Sequence, residues 1–285
     1  MSPQGNSQAE ELFERGIAFA GRGEYEQAMA AFEDAVAKNP SHERAWEELA
    51  QAIQHLADYG QAEKTFSRAR AAGVKSHRFW YALAQSLSGA MAQEAYRSAL
   101  EADPHDEQAL TELAWSLRST GKKEEANKLY RYLLEVYSQR GDARALNSLG
   151  DTLRRLVGNL EDAEEAFSRA LEITPDDFDT WKNLSYLMCS RRDPARAQQT
   201  IRRFIERYPQ HTRAADAWVC LANVLRSFDD LRGAEEAARQ ALHVDPDCQS
   251  AWSKLADICF ESGNFEEGQR ALDRADSLDY NKKFD

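Results

Sequence analysis

Six histidines and four cysteines are the side chains best suited to metal or nucleophilic chemistry, and their spacing gives them no such role. His42, His55, His77, His105, His211 and His243 include no i, i+4 pair, the step that sets two imidazoles on one helix face for zinc. Cys189, Cys220, Cys248 and Cys259 fall in the last third of the chain, with no C-x-x-C pair and no histidine to complete a zinc pattern. They read as reduced thiols. Cys189 closely precedes Arg191 and Arg192. Cations can activate a thiol, but a plain surface cysteine is the simpler reading. The acid pairs Glu124-Glu125, Glu164-Glu165 and Glu235-Glu236 stand where second helices should open, and carboxylates there favour the helix dipole. No glycine-rich phosphate loop, nucleophile elbow or kinase signature occurs. The sequence therefore predicts no catalytic residue, no metal and no cofactor.

Composition narrows the class further. The chain has 285 residues, 42% hydrophobic and 29% charged, enough to bury a real core. Its net charge of -12 argues against binding a nucleic-acid backbone, which needs a cationic surface. No apolar run reaches the length of a membrane span. The opening MSPQGNSQAEELFERG has neither the basic nor the apolar region of a secretory signal. These features predict a cytoplasmic protein with no nucleic-acid partner and no membrane insertion.

What must position any functional residue is a repeat. Leu12, Trp46, Trp80, Leu110, Leu146, Trp181, Trp218 and Trp252 follow one another at steps of 34, 34, 30, 36, 35, 37 and 34 residues, the range of stacked supersecondary units. From Trp218, Leu221, Ala222 and Leu225 lie at offsets three, four and seven, one stripe of an α-helix. A turn follows, often with glycine (Gly23, Gly121, Gly263), and then a second helix with a small–aromatic–small pattern. Ala28, Phe32 and Ala35 show it, as do Ala62, Phe66, Ala69 and Ala163, Phe167, Ala170. Proline closes the second helix at Pro40, Pro104, Pro175, Pro209 and Pro246, because it cannot donate a helical N–H.

This order of residues resembles the tetratricopeptide repeat family over about residues 9–280. The resemblance implies an all-α fold: a right-handed α-α superhelix, or solenoid, of eight helix-turn-helix units, first helices lining a concave groove. The units are expected to start near residues 9, 43, 77, 107, 143, 178, 215 and 249, between a flexible tail of residues 1–8 and a short tail of 281–285. It also implies a non-catalytic function, the binding of peptides or protein partners. Two departures should distort the groove. Unit three has five residues from Leu87 to Ala92 where most units have nine, about one helical turn fewer. Units four and six carry extra residues near Tyr137–Asp142 and Gln210–Asp216.

Offsets one, five and eight from each anchor share one helix flank, which the resemblance assigns to the groove. It starts with Phe13 in unit one. In units four to seven it carries Arg118, Arg154, Lys182 and Arg226 against one acid, Asp151. Asn147 and Asn223 could bond a peptide backbone, and Trp115 and Tyr186 could hold apolar side chains. Such a surface suits an extended segment, or one with acidic residues. The family's carboxylate clamp is not matched: with Lys182 as its first lysine, the required asparagines fall on Tyr186 and Cys220. The five anchor tryptophans are expected in the core, and Trp115, five residues after Leu110, at a contact surface. Arg15 and Asp276 replace apolar residues of other units, so they should face solvent at capped ends of a monomer. The expected function is a scaffold or adaptor. The alternative is a subunit of a larger complex, bound through its outer surface or ends.

Overall fold

The structure, a computed structural model, describes residues 3–281. All regular structure among the described residues is helical, in sixteen helices. They divide into two compact bodies, residues 1–133 and 134–285. The N-terminal body holds α1 (Pro3–Ala20), α2 (Tyr25–Lys38), α3 (Glu43–Leu56), α4 (Tyr59–Ala72), α5 (His77–Gln85), α6 (Gly89–Ala102) and α7 (Glu107–Ser119). Helix α8 (Lys123–Arg140) contains the boundary. The C-terminal body continues with α9 (Ala143–Thr152), α10 (Leu160–Ile173), α11 (Phe178–Ser190), α12 (Pro194–Arg207), α13 (Ala214–Arg226), α14 (Leu231–Val244), α15 (Gln249–Glu261) and α16 (Phe265–Asn281). Helix α1 begins at Pro3, so most of the expected N-terminal tail is helix; residues 1–2 and 282–285 lie outside the described residues.

Among the described residues, eight of the helices start where a short polar side chain accepts an otherwise unpaired N–H. Asp58, Asp142, Asp193 and Asp230 cap the helices that follow them, and Ser76 caps α5. Between the two helices of a pair, one residue takes a left-handed conformation: Gly23, Gly121 and Gly263, but also Ala57, Arg192 and Asp229. The small residues at the helix crossings are fully buried, Ala28, Ala62, Ala126, Ala163, Ala197 and Ala234 among them. Phe32, Tyr130, Phe167 and Ile201 fill the space beside them, each buried.

Helix α3 packs on α5 in the N-terminal body; in the other, α9 packs on α11, α11 on α13 and α13 on α15. Even-numbered helices bridge them: α2 joins α1 to α3, α6 joins α5 to α7, and α10, α12 and α14 do the same in their own body. An indole hydrogen bond marks four of these joints. Trp46, Trp80, Trp181 and Trp252 donate Nε1–H to the backbone carbonyl six residues earlier, that of Pro40, Val74, Pro175 and Pro246, at 2.8–2.9 Å. In three of the four, the proline that ends one pair thus fixes the aromatic that opens the next.

Several expectations need correction. Trp46 and Trp80 are core, but Trp181, Trp218 and Trp252 are only partly buried, packed at the edge of it. Phe13 is fully buried, under an Arg44 guanidinium 4.7 Å from its ring, and lines no open surface. Glu164-Glu165 and Glu235-Glu236 sit past the first turns of α10 and α14, which begin at Leu160 and Leu231. They act as ion-pair acceptors instead: Glu164 for Arg191 and Arg196, Glu165 for Arg169, Glu235 for Arg239, and Glu236 for Arg232. The extra residues near Tyr137 lengthen α8 to 18 residues, against 14 in α2, α4 and α6.

Candidate functional site

The first candidate surface belongs to the N-terminal body and follows from the short third unit. Helix α5 has nine residues where α3 has fourteen and α7 thirteen. Helix α6 then starts at Gly89, whose φ of +57° puts it in the left-handed region that favours glycine. A pocket of about 450 Å³ opens beside this turn, and Gln85, Gly89, Tyr96, Glu112, Trp115 and Ser116 are among its walls. Its floor is rigid. Buried Gln93 of α6 donates to the Ser116 carbonyl at 3.1 Å and to Thr120 Oγ1 at 2.8 Å, while Lys122 donates to its Oε1 at 2.9 Å. Every polar atom of that amide is thereby satisfied, which makes a buried glutamine tolerable.

Trp115 is 54% exposed at the rim, whereas Trp46 and Trp80 are 2% and 3% exposed. Arg118, one turn further along α7, is half-buried and acts electrostatically on the Tyr130 hydroxyl. Glu112 lies on the same side as Trp115 and acts electrostatically on three tyrosines. Burial, with Glu112 as the next cause, pushes the Tyr96 hydroxyl far above its usual range. Tyr81 is also raised, chiefly by burial and further by Glu112. No ion pair holds Glu112 or Arg118 among the described residues.

The second surface belongs to the C-terminal body, on the neighbouring helices α9, α11, α13 and α15. Asn183 donates to Asn147 Oδ1 at 3.0 Å, joining α11 to α9. Arg154, on the π-helical turn Leu153–Val157 that extends α9, pairs with Asp151, and its Nε is buried without a partner among the described residues. Lys182 donates to Asp179 at 2.6 Å and stands over the Phe178 ring at 5.6 Å. The Tyr186 hydroxyl reaches Asn223 and the Cys220 thiol, and burial raises its pKa. Arg226 bridges α13 to α15, 3.2 Å from Asp257 and 3.4 Å from Glu261. Asn147, Arg154, Lys182, Tyr186, Asn223 and Arg226 thus belong to one run of helices in one body. Three of its cations already hold acids: Arg154 and Arg226 meet Asp151 and Asp257 on the flank read from sequence, and Lys182 and Arg226 meet Asp179 and Glu261 outside it.

Cys189 is not an activated thiol. Burial raises its pKa, and the lowering contributions of Ser227 and Arg154 do not overcome that. The other three cysteines are buried, and all four are free. Among the described residues, no three His, Cys, Asp or Glu side chains are grouped to hold a metal ion. No described helix is long and apolar enough to cross a membrane. Glu112 and Gln93 were missed from sequence. Glu112 sits at offset two from Leu110, a position that opens to a pocket only because α5 is short. Gln93 looks like any polar helix residue until its three partners are seen.

Family profiles agree with the fold. Tetratricopeptide repeat profiles match residues 19–86 and 225–282, and a second such profile matches 90–131 and 111–178. The human protein O-mannosyl-transferase TMTC1 is 23% identical over 187 residues, 65% of this chain. The chain spans only 21% of that relative's length. A tetratricopeptide repeat protein from Parabacteroides merdae is 17% identical over 98% of this chain and 96% of its own, with a TM-score of 0.44. MamA from Desulfovibrio magneticus RS-1 is 18% identical over 61% of this chain and 95% of the matched chain, with a TM-score of 0.41.

Proposed function

The chain belongs to the tetratricopeptide repeat family, and from that premise we propose that it is a non-catalytic scaffold or adaptor whose odd-numbered helices hold an extended segment of a protein partner. Repeats of this family generally mediate protein interactions. The observation that carries the reading is Trp115: it lies 54% exposed at the rim of a pocket, while other tryptophans are tied into joints by their indole N–H. Large aromatic side chains left open in this way are typical binding hot spots. In the C-terminal body, the Asn147 and Asn223 amides would serve the backbone of such a segment and the Tyr186 ring its apolar side chains; in the N-terminal body, Trp115 would offer its exposed indole face. A preference for acidic residues would rest first on Arg118, since Arg154, Lys182 and Arg226 must exchange an existing acid for a new one.

In this reading the free chain is a cytoplasmic monomer, with its thiols reduced and the charges of Arg15 and Asp276 exposed. The likeness to TMTC1 covers a fifth of that protein, and we propose no transferase activity from it. A second reading, binding through even-numbered helices as part of a larger complex, is favoured by Tyr59 and Phe265. They are 67% and 69% exposed at the starts of α4 and α16. Affinity capture with the full chain separates the two. Trp115→Ala and Arg118→Glu should lose the captured partner, while Tyr59→Ala and Phe265→Ala keep it; the opposite pattern replaces the first reading by the second.

A further inference from the structure

The pocket beside α5 has a chemistry that the sequence does not announce. Its walls combine one carboxylate, Glu112, with the exposed face of Trp115, the Tyr96 ring and the hydroxyl-bearing Ser88, Ser116 and Ser119. Acids on the neighbouring helices α6 and α8 have cations: Glu94 holds Arg70 and Glu125 holds Arg97. Glu112 has no such partner among the described residues, yet it is half-buried. Half-buried carboxylates are costly unless a cation or donors meet them. An aromatic face next to a carboxylate is also the arrangement that attracts a cation twice, through the ring quadrupole and through charge.

We infer that this pocket takes an arginine side chain from the partner's extended segment, its guanidinium stacked on Trp115 and paired with Glu112. Arginine fits better than lysine because its planar fork can lie on the indole and meet both carboxylate oxygens at once. The hydroxyls of Ser88, Ser116 and Ser119 can accept its remaining N–H groups. Cavity size allows it, since about 450 Å³ exceeds what one guanidinium and its methylenes need. Only the missing turn of the third unit makes the room, so the specificity lies where the repeat departs from its own period. This assignment rests on the proposal that the odd-numbered helices bind a partner segment, and adds the class of side chain received.

The test needs no identified partner. Nα-acetyl-arginine amide is titrated into the full chain, labelled with nitrogen-15, while the indole N–H signals are followed by NMR; Trp115→Phe identifies the Trp115 signal. Nα-acetyl-citrulline amide, neutral and of the same shape, is the matched control. The arginine probe should move the Trp115 signal saturably, with a millimolar Kd as expected for so small a ligand. Citrulline, or arginine with the Glu112→Gln variant, should bind about tenfold more weakly, the scale of one charge-assisted contact. Equal binding of citrulline, unchanged affinity in Glu112→Gln, or no movement of the Trp115 signal would overturn the assignment. Those results leave the partner-capture experiment untouched, so failure of the pocket and failure of the proposed binding surface are told apart.

Discussion

Gly16 of α1 lies flat against the ring of Phe32 on α2, so close that a Cβ on Gly16 would collide with three ring carbons. The same relation recurs in the C-terminal body, where a Cβ on Gly150 would stand 2.7–3.0 Å from the Phe167 ring. Both rings are fully buried and cannot swing away. Gly16→Ala should therefore destabilise the protein by about 1 kcal/mol net, because overpacking costs ~1–3 kcal/mol against the ~1 kcal/mol gained in helix propensity. Urea unfolding measures it; a variant as stable as the parent would mean that the crossing is looser than described.

The opposite substitution should help at Ala57. It ends α3 with φ at +51°, a place where other units put glycine. A Cβ in that region costs ~1–2 kcal/mol, partly returned because glycine adds freedom to the unfolded chain. Ala57→Gly should raise stability by about 0.5–1 kcal/mol in the same assay. A loss of stability would show that the Ala57 methyl makes contacts worth more than its strain.

Alkaline pH should weaken the fold through buried tyrosines. Burial pushes the Tyr130 hydroxyl up to about 12, against about 10 in an unfolded chain. The folded state thus holds its proton more tightly. The associated stability is complete below pH 10 and is lost as pH rises from 10 towards 12. Tyr96 and Tyr186, both raised mainly by burial, act in the same direction. Unfolding free energy measured at pH 8, 10 and 11 should fall over the last interval, less steeply in Tyr130→Phe. The same slope in both proteins would remove Tyr130 from the account.

How far the sequence spoke can be judged from particular residues. The helix pairs were legible because the same small–aromatic–small pattern and closing proline recur in most units. The proline-to-tryptophan step was also visible, six residues from Pro40 to Trp46, Pro175 to Trp181 and Pro246 to Trp252. Its meaning was not, since only coordinates reveal an indole N–H aimed at that carbonyl, and Val74 serves Trp80 equally well. Charge was misread for a related reason. Counting along one flank left Lys182 and Arg226 looking uncompensated, whereas Asp179 comes from the turn before and Glu261 from the next helix pair. Periodicity finds the elements; it does not find partners that meet across them.

The central claim, that a partner lies on the odd-numbered helices, is tested most directly by photo-crosslinking. Trp115 on α7 and Tyr59 on α4 are both exposed aromatics of the N-terminal body, so benzoylphenylalanine can replace either with little effect on packing. After irradiation with the captured partner bound, the account predicts a covalent adduct from position 115 and none from position 59. An adduct from position 59 alone would contradict it.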